Sequence, residues 1–334
     1  MFDRFFKRRS AGLNLHELSD DDYVIQASLS ELIGLRLQAK PIKPMQNRPA
    51  MRVLAGSHAS RFKGRGMDYL ESRAYQAGDD IRNMDWRITA RTGHPHVKLF
   101  QEERERPVLI FTDFSPSMFF ASRGRFKSVI ASQASALLAW SAIQHGDRIG
   151  GIISNNGHKE LQAASGKKGA LNFIRELEQH SDPRTYLSHP SAAHPVEFNN
   201  ALRRLQRMAL PGTLVFIISD FYQFDDLSRQ LLGQIRQRCE SVLIRITDSL
   251  ETSPPPANRY AITDGQRQAV IDTGNPGEVN RYHNWFQTHR QQIEEFSQRQ
   301  KIPLFELTTH GQTINELKAF FAQSALFKQK RSMR

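Results

Sequence analysis

Residues 107–118 read PVLIFTDFSPSM. Val108 to Thr112 form an unbroken apolar or β-favouring run that stops at Asp113-Phe114-Ser115-Pro116-Ser117, and a small-residue helical pattern from Arg125 to His145 follows. Continuous rather than alternating apolar character marks a buried strand of a parallel sheet, and ligands of such sheets gather outside the carboxyl ends of the strands. Asp113 falls at such an end. The spacing Asp113-x-Ser115-x-Ser117 gathers one carboxylate and two hydroxyls on one turn, hard oxygen donors suited to Mg²⁺ or Mn²⁺ and not to a soft metal.

Downstream, strand and helix alternate as a doubly wound, mostly parallel α/β sheet flanked by helices requires. Strands are predicted at 148–154, 213–219, 241–247 and 303–307, with helices near 169–179, 198–208, 225–237, 278–299 and 313–327. Asn155-Asn156-Gly157 is a hairpin signal that makes 158–161 a short antiparallel edge strand, and Asp264-Gly265 marks a second hairpin between 259–262 and 266–272. The run TLVFIIS at 213–219 ends in Asp220 as the first run ends in Asp113, so neighbouring strands would carry both carboxylates to one edge. With Ser115 and Ser117 they could hold one divalent ion, partly through water. The alternative is that Asp113 and Asp220 cap a helix and a turn, with the serines serving backbone donors.

Upstream stand Gly64-Arg65-Gly66-Met67-Asp68, Arg73-Ala74-Tyr75, the block from Gly78 to Trp86 (GDDIRNMDW), and Ala90-Arg91. Together these closely resemble the signature of the bacterial domain-of-unknown-function family 58. Asp113, Ser115 and Ser117 resemble the first motif of the metal-ion-dependent adhesion site of von Willebrand factor A domains. The resemblance implies a von Willebrand factor A-like domain at 107–327, preceded by a helical and small β-rich extension at 19–106. It assigns Asp113, Ser115, Ser117 and Asp220 to the metal site. One departure stands out: where such sites carry a threonine before a helix, this chain has Val196 or Glu197.

Within the extension, a helix capped by Ser19 is expected to run through Leu29, Leu32 and Leu35. Asp79, Asp80 and Asp85 sit among Arg73, Arg82, Arg87 and Arg91, so ion pairs and turn roles are expected of them, and Trp86 is expected to anchor a core. His94-Pro95-His96 lacks further ligands for zinc, and Gly166-Lys167-Lys168 lacks the first glycine and the Ser/Thr of a phosphate loop.

The 334 residues, 39% hydrophobic, suffice for a good core, and the single Cys239 excludes an intramolecular disulfide framework. No apolar run is long enough to span a bilayer, and the N-terminus MFDRFFKRRS lacks a signal-peptide core, so a cytoplasmic location is expected. The surplus of 46 Lys and Arg over 34 Asp and Glu reads as surface charge rather than a specific nucleic-acid groove. The segments 1–18 and 328–334 are basic tails that could touch an anionic membrane. Family resemblance implies a metal-dependent protein-interaction module working with a MoxR-type AAA+ ATPase in chaperone-like assembly or maturation. The alternative is a metal-dependent hydrolase, or a nucleic-acid-binding protein, acting on phosphorylated substrates, although no convincing general base is evident.

Overall fold

A computed structural model of the chain describes residues 22–42, 67–102, 105–155, 157–184, 195–263 and 268–332. The first elements are two short helices, α1 (Asp22–Ile25) and α2 (Leu29–Gly34). Ser28 separates them, its hydroxyl accepting the Glu31 N–H at 3.5 Å, so the one continuous helix expected through Leu35 is broken. A serine that can bond a nearby backbone N–H favours a helix start over a helix interior. The predicted cap Ser19 lies outside the described residues.

The described residues between 46 and 105 belong to a compact unit of their own. Its strands β1 (Met67–Ala74) and β2 (His96–Glu102) pair antiparallel, and helix α3 (Trp86–Thr92) lies between them in sequence. Of the three acids expected to pair, one does so among the described residues, Asp79 with Arg73 at 2.7 Å. The other two acids serve as caps: Asp80 accepts the Arg82 N–H, while Asp85 accepts the Ile88 N–H and the Ser72 hydroxyl. Trp86 does not anchor a core; it is 64% exposed. As the first residue of α3 it follows a buried cap, which fixes the backbone without burying the indole.

The second unit comprises residues 1–45 and 106–334. Its remaining elements follow in chain order: β3 (Pro107–Asp113), α4 (Lys127–Gln144), β4 (Arg148–Asn155), β5 (Gly157–Ala164), α5 (Gly166–His180), α6 (Pro195–Met208), β6 (Leu214–Ser219), α7 (Asp226–Arg238) and β7 (Glu240–Thr247). Then come α8 (Ser249–Thr252), the hairpin β8 (Arg259–Thr263) and β9 (Gln268–Asp272), α9 (Pro276–Gln300), β10 (Leu304–Thr308) and α10 (Thr313–Ser332). Helix α10 continues past the expected end at Phe327 into the stretch read as a tail.

The six-stranded sheet has the order β10-β7-β6-β3-β4-β5, parallel except for the antiparallel edge strand β5. This is the mostly parallel α/β architecture expected from the alternation of elements. Side chains alternate across each central strand. Val108 and Ile110 therefore join one apolar cluster with Leu137 of α4 and Ile174 of α5, while Leu109 and Phe111 join another with Phe198 of α6 and Ile235 of α7. Both faces of β3 and β6 are covered, which is why their sequences run apolar without a break.

Helix α4 is buried from Lys127 to Ala142. It lies between the sheet and α2: Trp140 Nε1 donates to the Leu32 carbonyl at 3.0 Å, and the Ser141 hydroxyl donates to the Ile42 carbonyl at 2.6 Å. Residues 22–42, which the sequence groups with 19–106, thus pack on this helix.

Candidate metal and docking site at the carboxyl edge of the sheet

The parallel register pairs Thr112 of β3 with Ile218 of β6, and Ile218 with Ile244 of β7. Asp113, Asp220 and Asp248 therefore leave the sheet at its carboxyl edge. Asp113 is 2% exposed and its carboxylate accepts three side-chain or backbone donors. Ser219 Oγ donates to Oδ2 at 2.6 Å, Ser115 N–H to Oδ1 at 2.9 Å, and Ser115 Oγ to Oδ2 at 3.2 Å. Ser117 Oγ lies 3.3 Å from Ser115 Oγ. The three motif residues thus form one connected cluster.

Asp220 is close enough for its charge to act on Asp113. Burial first, and then the Asp220 carboxylate, push the Asp113 carboxyl up to about 7. Two buried acids disfavour each other's ionised form. Asp220 Oδ1 accepts the Tyr222 N–H at 3.0 Å, and Oδ2 takes the ammonium of Lys127 at 3.2 Å. Lys127 also contacts the Glu251 carboxylate on α8. Burial opposes the lysine's charge, yet the two carboxylates hold it protonated above the usual lysine range.

Asp248 is a brace at this edge. It caps α8 through the Leu250 N–H, accepts the Ser122 N–H at 2.9 Å and the Thr309 hydroxyl at 2.7 Å, and so ties the loop after β3 to the ends of β7 and β10. Gly124 allows that loop to run against the Thr309 carbonyl: its φ is 77°, and a Cβ would collide with the carbonyl oxygen.

An aromatic rim adjoins the acids. Phe221 takes a left-handed backbone, φ 59°, rare for a bulky residue, with its ring fully buried. Tyr222 then emerges 53% exposed. Its ring lies 5.4 Å from that of Trp285 on α9, which stacks on His289 with centroids 5.7 Å apart.

The four residues singled out in the sequence therefore share one sheet edge. Their donor set, two carboxylates and two hydroxyls, suits a hard divalent cation, and the pressure that burial and the Asp220 charge place on the Asp113 carboxyl is what such a cation relieves. The capping alternative holds only in part: Asp220 receives the Tyr222 N–H, and Asp113 receives the Ser115 N–H. Among the described residues no group of three or more His, Cys, Asp or Glu is arranged as a metal site, so an ion here would lean on the serines. Glu197, one residue at the position of the missing threonine, is half-buried in the first turn of α6. Among the described residues no hydrogen bond joins it to Asp113 or Asp220.

Sequence reasoning missed Lys127 and Glu251. One signal was present: a lysine at the first position of a helix opposes the helix dipole, and α4 has no acid in its first turn to offset it.

A family model described as "Protein of unknown function DUF58" matches residues 71–292. Uncharacterised proteins of Mycobacterium tuberculosis and Mycobacterium bovis are 31% identical over 224 residues, covering 65% of this chain and 67% of theirs. Among solved structures, the conserved hypothetical protein BatB of Bacteroides thetaiotaomicron is similar with a TM-score of 0.44 and 14% identity, covering 67% of this chain and 99% of that one. A von Willebrand factor type A protein of Catenulispora acidiphila is similar with a TM-score of 0.37 and 10% identity, covering 69% of this chain and 45% of that one.

Proposed function

The chain belongs to the DUF58 family, and we propose that this member is a cytoplasmic, non-enzymatic protein-interaction module whose sheet edge docks an acidic residue of a partner through Mg²⁺ or Mn²⁺. The observation that carries this reading is the single hydrogen-bonded cluster of Asp113, Ser115 and Ser117 under the charge of Asp220. Asp113 and Asp220 would hold the ion, and Ser115 and Ser117 would orient around it. When bound, the ion supplies open coordination positions to a partner carboxylate. Exposed Tyr222 and Trp285 offer apolar area beside that point, the residue types that dominate binding hot spots. The resemblance drawn from the 64–91 signature favours a MoxR-type AAA+ ATPase as that partner, in chaperone-like assembly or maturation of another complex.

The test is titration calorimetry of the full chain against the ATPase. Association is expected in Mg²⁺ and lost in chelator, and Asp113→Ala should lose it while retaining the fold. Equal affinity in chelator and Mg²⁺ overturns the bridge. A second reading, hydrolysis of a phosphorylated substrate, draws on the Asp113 carboxyl at about 7, which lies in the range of a general base. Turnover of a phosphate ester that requires Asp113 would favour it.

A further inference from the structure

We infer that Lys127 is a tethered cation that shares Asp220 with the metal, and that ion binding transfers its ammonium wholly to Glu251. The inference deepens the reading above and rests on it. Lys127 is buried, its side chain 3% exposed, at the end of a helix where a positive charge is disfavoured. Burying an ammonium is costly unless carboxylates surround it, and here two do.

Asp220 presents two unequal oxygens to an ion. Oδ1 already accepts the Tyr222 N–H, and Oδ2 is the oxygen that Lys127 occupies. An ion that takes Oδ2 must share or displace that contact, and one that takes the remaining lone pair of Oδ1 still sits beside the ammonium on the same carboxylate. A second seat is in place: the same ammonium touches Glu251, whose other oxygen accepts the Asp248 N–H at 3.4 Å and is thereby fixed to α8. The charges also match. Among the groups that the ion and the ammonium would contact, Asp113, Asp220 and Glu251 against Lys127 leave a formal surplus of two negative charges once Asp113 is ionised, the magnitude of one divalent ion; Asp248, committed to three donors, is not among them.

Occupancy would then be felt beyond the site. The Leu250 carbonyl, next to Glu251, accepts the Tyr282 hydroxyl of α9 at 2.8 Å, and α9 bears Trp285. Lys127 therefore connects the cation seat to the helix that forms the aromatic rim.

The experiment is Mg²⁺ titration calorimetry of the full chain in wild type, Lys127→Gln, Glu251→Gln, the double variant and Asp113→Asn, with folding checked by circular dichroism. Lys127→Gln should bind Mg²⁺ tighter by about tenfold or more, the loss of one unit-charge repulsion at close range. Glu251→Gln, which leaves the ammonium only Asp220, should bind more weakly than wild type. The double variant keeps the charge surplus and removes the competitor, so it should bind tighter than wild type and carries the test if Lys127→Gln fails to fold. Unchanged affinity in the folded variants, with Asp113→Asn still abolishing binding, overturns this inference and leaves the metal site standing. No Mg²⁺ binding in any protein overturns both. Binding that appears only once Lys127 is removed supports the inference.

Discussion

Asp113 is the residue at which structure and solution behaviour meet most directly. Its folded carboxyl sits at about 7 against an ordinary value of 3.8, chiefly through burial and then through Asp220. At low pH both folded and unfolded states hold the proton, and this group costs nothing. As pH rises, the unfolded chain ionises first while the folded one resists, so stability falls across the window from about 4 to about 7 and then levels. In chelator, wild type should therefore lose about 2–3 kcal/mol more than Asp113→Asn between about pH 5 and about pH 8. Urea midpoints at the two pH values measure the difference; parallel curves for the two proteins would contradict the burial argument. Mg²⁺ should restore stability mainly at the higher pH, where the carboxylate is available to it.

At the scale of elements, the small unit separates two neighbours that look equivalent in sequence. Asp85 caps α3 and receives the Ser72 hydroxyl, whereas the adjoining Trp86 is exposed. Asp85→Ala should lower stability by about 1–2 kcal/mol, the usual loss of a helix cap, and Trp86→Ala should stay within about 0.5 kcal/mol. Thermal or urea unfolding of both variants checks this. Normal stability with lost partner binding in Trp86→Ala would assign the indole to an interface.

The same scale shows what was legible. The strands ending in Asp113 and Asp220 could be read because burial on both faces leaves an unbroken apolar run and polarity returns abruptly at the edge. The antiparallel β5 was legible through the Asn-Gly pair that leads into it in the sequence. The break at Ser28 was not, since leucine spacing continues across it and only the capping hydroxyl interrupts the helix. Lys127 was invisible for a different reason: its partner Glu251 stands 124 residues away, and only the shared sheet edge brings them together.

On the scale of the whole molecule, the order β10-β7-β6-β3-β4-β5 has a kinetic corollary. Strands β3 and β6 are hydrogen-bonded on both sides and covered above and below, whereas β5 and β10 each have one neighbour in the sheet. Amides at the centre can reach solvent only through cooperative opening, while the edges can fray separately. In hydrogen–deuterium exchange followed by mass spectrometry, peptides from 108–112, 214–218 and α4 should label last and together, and those from β5 and β10 earlier. A central strand labelling before an edge would refute this order. The stretch that opens the sequence argument would then also be the molecule's slowest clock, and the acids at its carboxyl end would stand on the last part of the protein to let water in.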